Sequence, residues 1–113
     1  MPGVRIQYNP TVISGSTIIV LNMGIGEIVA TNLSCGNFML TSNDISLTFQ
    51  PYGPYDRHQN DLEVHIDAFS CPSRLADIND RNDRMRDQIM QILPQGTTFF
   101  VWTRLTEGAF SKA

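Results

Sequence analysis

The stretch LEVHIDAFSCPSRLADINDRNDRMRDQIMQILPQGTTFFVWTRL, residues 62–105, decides the fold because its hydrophobic period changes twice. Leu62, Val64 and Ile66 alternate with Glu63, His65 and Asp67, the two-residue period of a half-buried strand. The period then lengthens. Leu75, Ile78, Met85, Ile89 and Ile92 share one helical stripe, Ser73 suits the N-cap, and Pro94-Gln95-Gly96 stops the helix near Leu93. Thr98 to Leu105 reads as a strand again, with Phe100 and Trp102 on one face and Phe99 and Val101 on the other. Apolar residues on both faces imply that both are covered, one by the core and one by something else. The segment is therefore a β-α-β unit.

The first half of the chain repeats the pattern less clearly. Val4, Ile6 and Tyr8 alternate with Arg5 and Gln7 up to Asn9-Pro10, and Ile45, Leu47 and Phe49 alternate with Ser46, Thr48 and Gln50. Between these strands, Ile18, Leu21, Ile25 and Ile28 or Val29 fall at helical spacing behind a Ser14 or Ser16 cap. The β-branched run Ile18-Ile19-Val20 and the interruptions at Gly24 and Gly26 favour a strand instead, so local propensity leaves both readings open. Pro51 to Tyr55 is turn-rich, and Asp56 to Asp61 is polar loop. Taken as a helix, residues 14–33 complete an α+β fold. Two β-α-β units then form one four-stranded sheet with both helices on one face. The opposite face stays bare, and its cover is expected to be other copies of the chain.

Composition narrows the function. The 113 residues make one domain, residues 1–113, with a modest core that subunit burial would help. Hydrophobic content of 42% and charged content of 17% fit a folded globular chain. Residues 10–43 carry a single charge, Glu27, which again points to covered surface. A net charge of −3 argues against nucleic-acid binding through counterion release. No membrane span or signal peptide is read, and Cys35 and Cys71 match no metal or redox spacing. A reduced, cytoplasmic setting follows as the expectation. His58 and His65 have no partners at ligand spacing, so no metal site is expected. Asn22 to Glu27 lacks the third glycine of a dinucleotide loop, and the alternating signs of Asn79 to Asp87 read as a solvated helix face.

Three residues carry possible chemistry. After trimming of Met1, Pro2 would present a secondary amine at the head of a strand, where burial and nearby cations favour its neutral, proton-accepting form. Arg74 lies in the first turn of the second helix, where helix-start NH groups and a guanidinium would together receive a carboxylate. Arg104 lies on the same side of the last strand as Trp102 and is a second candidate for an acidic substrate.

Met1-Pro2 opening a strand, the doubled β-α-β unit, Ser73-Arg74-Leu75-Ala76-Asp77 entering the second helix and an aromatic on the final strand together resemble the tautomerase superfamily. The segments Asp44 to Tyr52 and Thr97 to Ala113 are most similar to its 5-carboxymethyl-2-hydroxymuconate isomerase branch. Arg74-Leu75-Ala76-Asp77 also resembles the helix start of the cis-3-chloroacrylic acid dehalogenase branch. The resemblance is good over residues 44–113 and poor over residues 10–43. It implies a helix over 14–33, a homotrimer with pockets between subunits, and no cofactor. It implies keto–enol tautomerisation of a small unsaturated 2-oxo or 2-hydroxy carboxylate. By position Pro2 would be the base, Arg74 a carboxylate binder and Trp102 a pocket wall, with Arg104 joining Arg74 on the strand reading above. One departure stands out: the isomerase branch has an arginine in its second strand where this chain has Thr48. That departure, with a retained Met1, would mark the rival reading, a non-enzymatic oligomer that keeps the fold without the chemistry.

Overall fold

The computed structural model describes residues 2–36 and 39–107; Met1 and the end of the resembling segment Thr97 to Ala113 lie outside the described residues. The elements are β1 (Gly3–Tyr8), α1 (Gly15–Leu33), a short 3-10 turn (Ser42–Asp44), β2 (Ser46–Pro51), β3 (Leu62–Phe69), α2 (Pro72–Ile92) and β4 (Phe99–Thr106). They form one sheet in the order β2-β1-β3-β4. β1 and β2 are parallel, β3 and β4 are parallel, and β1 meets β3 antiparallel, joining the two β-α-β units at the centre. Both helices pack together on one face, as the sequence leads one to expect.

Tertiary burial decides the ambiguous segment. Leu21, Ile25, Val29 and Leu33 of α1 are fully buried, so the helical stripe outweighs the β-branched propensity of its first turns. The Thr17 N–H donates to Ser14 Oγ at 3.2 Å, which makes Ser14 the N-cap. Gly24 lets the helices approach, since a Cβ there would stand 3.0 Å from Ile92 Cδ1. By length and composition α1 could cross a membrane (mean hydropathy 1.3 over its best window), although the sequence reading found no span; in this fold 44% of that window is buried.

α2 begins earlier than expected. Cys71, not Ser73, is the N-cap, because Pro72 fits the first helical turn, where no N–H is needed. Leu75 is exposed, and Asp77 departs from helical geometry at φ −139°, ψ 30°. Beyond it the buried stripe is Arg81, Met85 and Ile89, with Ile78 half-buried at its start. Arg81 therefore corrects the solvated-face reading of residues 79–87, being 9% exposed in the middle of an apolar stripe. Its Nε donates to Asp77 Oδ1 at 2.7 Å. Nη1 donates to the carbonyls of Asn32 at 3.2 Å and Ser34 at 3.1 Å, and Nη2 to that of Ser73 at 3.3 Å. Arg86, by contrast, holds only exposed pairs with Asp83 and Asp87.

The bare sheet face also differs from expectation. Strand alternation puts Arg5 and Gln7 on it, with Thr48, Gln50, Glu63, His65, Asp67 and Arg104; Phe100 and the exposed Trp102 are its aromatic members. A face so polar can meet water, so its exposure does not by itself demand a cover.

Because Arg81 satisfies carbonyls that would otherwise be buried without partners, Arg81→Ala is expected to destabilise the fold by about 2–3 kcal/mol. In urea unfolding, a loss below about 0.5 kcal/mol would return Arg81 to the solvated face.

Candidate active site

The sequence-predicted residues do not converge on one point: Pro2 stands at the head of β1, Trp102 and Arg104 share a hollow on the bare sheet face, and Arg74 lies apart from both. Pro2 is fully buried at the head of β1, and its carbonyl accepts from the Ser46 N–H at 3.2 Å, which fixes the entry of β1 beside β2. The next residue, Gly3, lines a hollow of about 250 Å³ with Asp67, Ala68, Phe69 and Thr106. A Cβ on Gly3 would meet nothing within 4 Å, so the strand head is open on that side.

Asp67 also lines a neighbouring hollow of about 170 Å³, shared with Arg5, His65, Ile66, Trp102 and Arg104. Two guanidiniums and one carboxylate thus line the same hollow. Arg104 Nε donates to Asp67 Oδ1 at 2.8 Å, and the pair is well exposed. Such a pair contributes about 0–1 kcal/mol and exchanges partners readily. Arg5 was not singled out from the sequence. The available signal was alternation, which puts Arg5 on the face of His65 and Trp102, to which the register aligns it.

Arg74 lies elsewhere. It is 7% exposed, with Nε donating to the Leu33 carbonyl at 2.8 Å and Nη1 to the Phe69 carbonyl at 2.7 Å. Its guanidinium thus ties the end of α1 to the end of β3 instead of standing open to a carboxylate, and it steadies Phe69 in the wall of the larger hollow. The helix start that suggested a receptor is real, but the side chain turns back into the fold.

A polar chain flanks the smaller hollow. The Tyr52 hydroxyl donates to Glu63 Oε2, and Glu63 Oε1 lies 3.2 Å from His65 Nε2. Burial, then the hydrogen bond and charge of Glu63, push the Tyr52 phenol well above its ordinary range, so it stays a protonated donor. His58 stacks on Tyr52 with ring centroids 4.1 Å apart, and Phe100 meets His65 edge-on.

The cysteines were missed as a pair. Cys35, after α1, and Cys71, at the cap of α2, bring their sulfurs to 2.6 Å. Spacing along the chain could not reveal a contact made by tertiary packing. Burial alone pushes the Cys71 thiol up. Hydrogen bonds from Cys35, Ser73 and the Arg74 backbone, with the Arg74 charge, outweigh it and hold the thiol down at about 7.

No protein-family model matches this sequence, and no curated protein is similar to it in sequence. Solved structures are similar in fold. A fused 4-OT symmetric trimer superposes with a TM-score of 0.66 at 11% identity, over 93% of this chain and 85% of that one. N1, a member of the cis-3-chloroacrylic acid dehalogenase family, gives 0.65 at 7% identity, over 94% and 76%. Malonate semialdehyde decarboxylase gives 0.65 at 9% identity, over 96% and 90%. These likenesses show that the chain shares the fold of those structures, and they do not single out the isomerase branch.

The two carbonyl contacts of Arg74 predict a stability role. Arg74→Ala is expected to cost about 2–3 kcal/mol in chemical unfolding, and Arg74→Lys to recover only part, since one ammonium cannot bridge both carbonyls. A loss under about 0.5 kcal/mol would contradict this placement.

Proposed function

We propose that the protein is a cofactor-independent tautomerase or isomerase of a small unsaturated 2-oxo or 2-hydroxy carboxylate, with Pro2 as its proton carrier. The observation that carries this reading is the buried Pro2 ring at the head of β1, immediately before the residue that opens the larger hollow. Fold likeness to 4-OT, dehalogenase and decarboxylase structures supports it at the level of the family.

In this reading Met1 is removed and the Pro2 nitrogen is a free secondary amine. The amine takes a proton from the substrate's hydroxyl or α-carbon and returns it at another carbon of the conjugated system. The carboxylate displaces Asp67 from Arg104 and takes Arg5 as a second partner, so fixed cations stabilise the charge that develops on the dienolate. Arg5 also answers the departure at Thr48. The two are register partners on adjacent strands of the same face, so a guanidinium stands one strand over from where the isomerase branch carries its own. Trp102 forms the apolar wall, and Arg74 acts as a positioning residue through Phe69. Assembly as a homotrimer, the state of the fused 4-OT structure, would close these shallow hollows with a neighbouring subunit.

One observation favours the second reading, a fold kept without the chemistry: Arg74, the expected carboxylate receptor, is already occupied by two carbonyls. The two readings separate experimentally. Intact mass should lack one methionine, and ketonisation of phenylenolpyruvate or 2-hydroxymuconate should fall by about 10²–10⁴ in kcat/KM for Pro2→Ala. Arg104→Ala should cost about 1.5–3 kcal/mol in kcat/KM while leaving stability within about 0.5 kcal/mol. Gly3→Leu should fold normally and lose activity by filling the hollow. Retained Met1 with no turnover of either enol would establish the non-enzymatic reading, and equal rates for wild type and Pro2→Ala would remove Pro2 from the mechanism.

A further inference from the structure

Cys35 and Cys71 are 36 positions apart in sequence and adjacent in space, their sulfurs 2.6 Å from one another with both thiols free. They join the two segments on which the helix pair depends. Cys35 follows the last turn of α1, whose carbonyls Arg74 and Arg81 hold, and Cys71 caps α2. Their exposures differ in a useful way: Cys35 is buried and Cys71 is partly open to solvent. Ser73 Oγ lies 3.5 Å from the Cys71 sulfur, and Arg74 contributes its backbone NH and its charge. An accessible sulfur stabilised as a thiolate, backed by a second thiol within bonding reach, has the arrangement of an attacking and a resolving cysteine.

We propose that Cys35 and Cys71 form a reversible oxidation site in which Cys71 reacts with a hydroperoxide and Cys35 resolves the product to an intramolecular disulfide. In the first step the Cys71 thiolate attacks the peroxide, the O–O bond breaks, and one oxygen remains on sulfur as sulfenic acid. The other leaves as an alcohol, or as water from hydrogen peroxide, after taking a proton. In the second step the Cys35 thiol attacks the Cys71 sulfur, the S–S bond forms, the S–O bond breaks, and water leaves. Overall two thiols and one peroxide give one disulfide, one alcohol and one water. A dithiol reductant returns both thiols by exchange and supplies the two electrons. Closing to an S–S bond of about 2.05 Å asks for a movement of only about half an ångström. The bond would staple the two helix termini around a loop that includes all of β2 and β3. It requires no reaction at Pro2.

The test uses the full-length protein, reduced and then exposed to hydrogen peroxide. Denatured wild type should lose about 2 Da, and its digest should contain one linked pair of peptides, Cys35 with Cys71, that dithiothreitol separates. The rate should rise with pH to a midpoint near 7, the groups facing the reacting sulfur being Cys35, Ser73 and Arg74. Oxidised protein should melt on the order of 10 °C above reduced protein, because the cross-link constrains the unfolded chain. In Cys35→Ser the product should instead be over-oxidised Cys71, about 32 Da heavier, with no link. A wild type that gives sulfinic Cys71 with Cys35 still free would overturn the proposal. So would a disulfide formed only between chains, or no reaction at either sulfur.

Discussion

The carbonyls at the C-terminal end of α1 are the constraint on which the rest of this structure depends. A helix ends with carbonyls that have no intrahelical donor, and α1 has no basic residue in its last turn to serve them. Two arginines of α2 supply the donors instead. Arg81 reaches Asn32 and Ser34, and Arg74 reaches Leu33. A little further along, Asn32 donates to Gln88 at 2.7 Å and accepts from Arg84 at 3.3 Å. The end of α1 is thereby locked against the start of α2, the contact that couples the two β-α-β units on the helix side of the sheet. Buried cations are costly unless fully hydrogen-bonded, and here orphaned carbonyls and Asp77 provide that compensation.

The same constraint explains what was legible in the sequence. Strands β1 to β3 follow from period-two alternation, because a strand with one face on a core must alternate, and β4 follows from its short apolar and aromatic run after a helix stop. α1 is legible only as a contest between helical spacing and β-branched propensity, which burial of Leu21, Ile25, Val29 and Leu33 resolves. The inward turn of Arg74 is hidden from the sequence because the Leu33 carbonyl it reaches lies 41 residues away. Arg81 reads as solvated because charge marks a side chain so unless the carbonyls waiting for it are known, and those of Asn32 and Ser34 lie 49 and 47 residues away. A helical period continued through Ile78, Arg81, Met85 and Ile89 is the one local hint. The cysteine contact and the pairing of Arg5 with Thr48 are long-range in the same sense. They exist only once the sheet order and the helix crossing are set.

Sheet polarity bears on assembly as well as on chemistry. A bare face made of Arg5, Gln7, Glu63, His65, Asp67 and Arg104 is not held in place by the hydrophobic effect. Its order comes from polar and aromatic pairs: Arg104 with Asp67 and His65 with Phe100 across β3 and β4, His65 with Glu63 along β3, and Tyr52 closing on Glu63 from the loop after β2. Any subunit that covers this face must leave those groups hydrogen-bonded or hydrated. Trp102, exposed among them, presents a large apolar surface that burial would reward directly.

The division of labour among the arginines is what a shared fold permits and a shared motif conceals. A guanidinium that bonds two backbone carbonyls cannot at the same time present those NH groups to a substrate carboxylate. Arg74, at the helix start that resembles a receptor, is therefore committed to architecture. Carboxylate recognition, where this chain performs it, falls to cations whose present partners are weak. Arg104 meets that condition because its bond to Asp67 is exposed to water, and Arg5 because strand alternation directs it outward beside the same carboxylate. The chemistry open to this chain is thus set less by which residues it shares with other proteins of the fold than by which of its charges the fold has already used.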